Sequence, residues 1–122
     1  MLRRLPLMLA ATALIAAPAS AAMNVATFLA RANALKAEGV GAIMSPDFQV
    51  LRAEAKSATT QLKEERAARE AAGKTPIACI PEGESVGIMA MLDGLAALSP
   101  AEKKLPLKDG YAKVLAKQYP CR

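Results

Sequence analysis

The chain has 122 residues, about one domain's worth, with 53% hydrophobic residues but only 3% aromatics. Its charge of +5 and pI near 9.5 come from basic side chains interleaved with acids. No aromatic stacking set accompanies them, which argues against nucleic acid as a partner.

The first segment reads as an export signal. Arg3 and Arg4 form a basic start, Leu5 to Ala17 is an apolar run broken only by Pro6, and Ala19-Ser20-Ala21 is an A-x-A cleavage pattern. The run is short against the ~20 residues of a spanning helix, so cleavage after Ala21 is expected in preference to an anchor. The context of Arg3-Arg4 does not otherwise match twin-arginine export. Residues 1–21 are therefore a signal peptide and 22–122 a single domain. Removing the signal takes two positive charges and leaves +3. A remainder of about 100 residues builds only a marginal core, of the kind that usually needs a staple.

From Asn24, a helix N-cap, Val25, Phe28, Leu29, Ala32 and Leu35 recur at helical spacing, and Gly39 fits the stop. Val40, Ile43 and Met44 read as a short connector turned inward. Ser45-Pro46-Asp47 starts a second helix, with serine as cap, proline at the first position and an acid at the positive end of the dipole. Its stripe is Phe48, Leu51, Ala55, Ala58 and Leu62, and it should run to about Ala72 and stop at Gly73. Beyond Leu62 the pattern turns charged, with Glu65 and Arg69 placed for an i,i+4 pair. Two readings compete for this half: a solvated helix end, or a surface that faces a partner.

Ile77 to Pro81 reads as extended. Ser85 or Glu84 should begin a third helix with a broad apolar face of Ile88, Met89, Met91, Leu92, Leu95 and Leu98, which should be the most buried of the set. Met89 and Met91 could adapt to a partner, but core packing is the favoured reading. Ser99-Pro100 starts a short turn, and Pro106 opens a last helix carrying Leu107, Tyr111, Val114, Leu115 and Tyr119 on one face. Gly110 inside that helix costs about 1 kcal/mol against alanine, which close approach of another helix would explain. The fold class is all-α: a small bundle of about four helices.

The chemistry is sparse. Without histidine, the usual triad base and the commonest metal ligand are missing, and two cysteines alone make no zinc site. Glu82 and Glu84 are the nearest paired acids, but carboxylates are favoured at a helix start anyway. We therefore expect no catalytic, cofactor-binding or metal site and no enzyme. Cys79 and Cys121, the two cysteines, suit a structural disulfide in an exported chain. A redox pair, which normally sits close in sequence, and an intermolecular bridge are the alternatives.

Cys79-Ile80-Pro81-Glu82-Gly83, a helix, a Ser-Pro turn, another helix and a final Tyr119-Pro120-Cys121 together resemble the C-terminal half of the Tai-type immunity proteins. These are small exported proteins that neutralise peptidoglycan amidase toxins delivered by type VI secretion. The resemblance covers about 45 residues, Cys79 to Arg122. It implies an all-helical fold, a disulfide joining Cys79 to Cys121, periplasmic residence, a protein partner of the amidase type and a homodimer. It assigns no partner-binding residue, because no toxin-contact motif is matched. The competing expectation is a small helical periplasmic chaperone resembling the acid-stress proteins; without histidine, only its carboxylates could sense pH.

Overall fold

The computed structural model describes residues 22–122; the signal expected over 1–21 lies outside the described residues. Four α-helices follow in order: α1 (Val25–Glu38), α2 (Pro46–Ala71), α3 (Ile88–Ala96) and α4 (Leu107–Gln118). Two 3-10 turns, Gly39–Met44 and Glu102–Lys104, join α1 to α2 and α3 to α4. No β-strand occurs among the described residues, only an isolated bridge between Asn24 and Pro106. The all-α expectation stands.

Local chemistry sets the helix ends. The Asn24 side chain accepts the Thr27 N–H at 2.8 Å, satisfying one of the free donors that open α1. Ser45 takes the N-cap backbone geometry of α2 with Pro46 behind it, but its hydroxyl makes no capping bond. Asp47 instead meets Arg31 of α1 at 2.6 Å. At the far end of α2, Gly73 has φ +69°, Lys74 N–H reaches Arg69 O at 2.8 Å, and Gly73 N–H reaches Glu70 O at 3.1 Å. That paired closure ends the helix where glycine was expected to end it.

The core is wholly apolar. Val25, Phe28 and Leu35 of α1, Leu51 and Ala58 of α2, and Met91, Leu92 and Leu95 of α3 surround α4, which gives Leu107, Tyr111, Val114 and Leu115. Helix α4 packs on all three other helices, whereas α2 and α3 hardly meet. The third helix was expected to be the most buried, but α4 holds that place. Ile88 and Met89 stay 54% and 56% exposed at the start of α3, while Met91 is in the core.

The glycines of α3 and α4 explain the tight contacts. A Cβ on Gly110 would come within 2.3 Å of Val25 Cγ2, and one on Gly94 within 2.3 Å of Val114 Cγ1. Helix α1 thus approaches α4 where only hydrogen fits, the reason expected for a glycine at 110. The main chain of 23–25 also docks there: Val25 N–H donates to Leu105 O at 3.0 Å and Leu107 N–H to Met23 O at 2.9 Å.

Candidate functional site

Between α2 and α3 the chain makes a connector, 72–87, with no helix or strand. That is longer than the dozen or so residues at which structureless connectors become uncommon and, when present, usually functional. The third helix was expected to begin at Ser85 or Glu84, but it begins at Ile88. The delay has a local cause. Glu84 N–H donates to Pro81 O at 3.2 Å across a turn in which Gly83 has φ +81°, a value suited to glycine at the third turn position. Glu84 also accepts the Tyr119 hydroxyl at 3.0 Å. It is committed to a turn and to the end of α4, so it cannot start a helix. The same bond, with desolvation behind it, holds the Tyr119 phenol above its ordinary pKa.

The connector is pinned at its middle. Cys79 and Cys121 form a disulfide with Cα atoms 5.0 Å apart, and Cys79 N–H donates to Tyr119 O at 2.8 Å. The bridge lies within the chain and not between chains, and among the described residues no cysteine is free.

Held in this way, the connector runs beside α2 and leaves a cleft of about 750 Å³. Its floor is apolar, with buried Ala78, Met91, Tyr111 and Leu115. Burial raises the Tyr111 phenol above its ordinary pKa. Along the α2 wall stand Lys56, Lys63, Arg66 and Arg69, all exposed; the connector lip carries Glu82 and Glu84. The charged half of α2 therefore sorts by face. The expected Glu65–Arg69 pair does not form: Glu65 turns to Lys108 of α4, and Arg69 donates to Thr75 O at 3.2 Å. Glu65 also holds the Lys108 ammonium above its usual pKa. The i,i+4 pair on this half is Arg66–Glu70, at 3.2 Å.

A second surface lies at the opposite end of α2. Val40, Ile43 and Met44 were expected to turn inward, but they are 93%, 64% and 87% exposed. The turn is too short to reach back over the core. Added side chains at Gly39 and Gly41 would touch nothing within 4 Å, while Ala42 of the same turn packs against the core. Leaving such side chains in water forgoes roughly 1.5–3 kcal/mol of burial apiece. Three large apolar side chains of one six-residue turn are thus left in solvent.

No group of three or more metal-ligating side chains gathers among the described residues. No described helix is long and apolar enough to cross a membrane. Glu82 and Glu84 share the cleft lip, with Glu84 engaged by Tyr119. The chain matches no family model, no curated protein and no solved structure.

Proposed function

We propose that the chain is an exported binding protein of the immunity type, which neutralises a peptidoglycan amidase effector of type VI secretion by occluding it. Its action is surface complementarity alone. The observation that carries this reading is the 39–44 turn, which presents Val40, Ile43 and Met44 to solvent as apolar anchors for a partner's pocket. The resemblance around Cys79 and Cys121 supports the choice of partner. An acid-triggered chaperone is less favoured, because these side chains already stand in solvent without an acid trigger.

An amidase toxin encoded beside the gene is the expected target. One equivalent of the protein should abolish its hydrolysis of peptidoglycan, and Val40→Ser with Ile43→Ser and Met44→Ser should weaken inhibition by roughly a hundredfold. Full inhibition by the triple variant would remove the turn from the interface. An amidase left active at stoichiometric protein would end the immunity reading.

A further inference from the structure

We propose that the cleft between α2 and the 76–88 stretch binds an extended peptide of about six residues in which apolar and acidic side chains alternate. This surface lies away from the 39–44 turn, so the inference stands or falls apart from the proposed function.

Three observations lead to this occupant. The first is length. The α2 wall runs from Ala55 to Arg69, about 21 Å at the helical rise, which an extended chain spans in about six residues. The second is the distribution of charge. Lys56, Lys63, Arg66 and Arg69 are spread along the whole wall, and neither Lys56 nor Lys63 joins an ion pair among the described residues. A fatty acid or lipid carries its charge at one end and would need cations only there. A row of cations suits carboxylates repeated along a chain. Glu82 and Glu84 on the opposite lip set the orientation, so the acidic edge of the peptide must lie against α2.

The third is the wall facing α2. Ile77 and Ile88 are 40% and 54% exposed beside a floor of Ala78, Met91 and Tyr111. Along 77–80, only Cys79 N–H finds a backbone partner among the described residues. The main-chain groups of Ala78 and Ile80, which in an extended run face away from the side that Cys79 turns to Tyr119, make no backbone bond among the described residues and would pair with a strand laid beside them, the mode by which extended peptides add to an open edge. Apolar side chains at alternate positions would then point to the floor and the acids to the lysines.

Calorimetric titration of the full chain with its bridge oxidised tests this directly. The probe is an acetylated, amidated hexapeptide alternating leucine and glutamate, with its leucine–lysine counterpart and laurate as comparisons. The glutamate peptide should bind and the lysine peptide should not. Lys56→Glu with Lys63→Glu, on an exposed face that leaves the melting temperature unchanged, should weaken binding roughly tenfold. The Val40→Ser, Ile43→Ser, Met44→Ser variant should bind the peptide as the parent does. Equal binding of both peptides, binding of laurate alone, no peptide binding, or indifference to the lysine reversals would each overturn the proposal.

Discussion

Helix α4 is shared by two regions that are held together differently. Towards α1 and α3 the contact is dry and close: Gly110 and Gly94 leave room only for Val25 and Val114, and among the described residues no charged side chain is buried. Helix α2 also packs on α4, but the connector stands off from α2 across a cleft, and this side carries the Glu65–Lys108 pair and the Cys79–Cys121 bridge. Shape fixes the first region, so nearly any change of volume there is felt. A few discrete ties fix the second, so the surface between them can vary and carry recognition.

The largest test of this contrast removes the bridge. Cys79→Ser with Cys121→Ser should cost about 4 kcal/mol in urea unfolding, the chain-entropy value for a loop of this size. Limited proteolysis of the variant should cut first within 72–87. First cleavage within α1 would mean that the bridge supports the dry region as well. Next comes Gly110→Ala, where overpacking against Val25 should outweigh the gain in helix propensity and leave a loss of about 2 kcal/mol. Placed in a Val25→Ala background, the same change should cost much less, because the blocking Cγ2 is gone. Unchanged cost in that background would locate the strain elsewhere.

Much of the dry region was legible in advance. Asn24, the apolar face of α1 and the close approach at Gly110 all follow from residue type and spacing, as does the Gly73 stop on the other side. Gly94 was missed because a glycine among Met91, Leu92 and Leu95 signals nothing until its neighbour is known. The cleft was hidden for a related reason. Glu84 looks like a helix start, and only the Gly83 turn and the tyrosine at 119, which is 35 residues on, reveal its use. Glu65 has a good local partner in Arg69, yet a partner from another helix wins. Val40, Ile43 and Met44 were placed inside on hydrophobicity alone, which says nothing about whether a short turn can reach the core.

Smaller effects sharpen the comparison. Lys108→Met should cost under about 1 kcal/mol, because Lys108 and Glu65 are both partly solvated, and a loss above 2 kcal/mol would make the pair a principal tie. The smallest effect belongs to Glu102. Its carboxylate accepts the Ser99 N–H at 3.1 Å, while its own N–H reaches the Ser99 hydroxyl at 3.1 Å. The bonds from Ser99, backbone first, hold its pKa below the ordinary 4.5. Its contribution is therefore complete above pH 4.5 and is lost as pH falls through the lowered value. Melting curves of the parent and Glu102→Gln should differ at neutral pH and converge in acid. A gap that persists once Glu102 of the parent is protonated would show that the reciprocal cap works without charge.

The sequence has no tryptophan and two tyrosines, one lining the cleft and the other bonded to its lip. Tyr111 lies in the floor, and Tyr119 bonds the glutamate on the lip. Ultraviolet emission from the unlabelled protein thus arises from the two rings at this site. Any occupant of the cleft, or any loosening of its wall, should register as a change in intensity while the rest of the molecule stays optically silent.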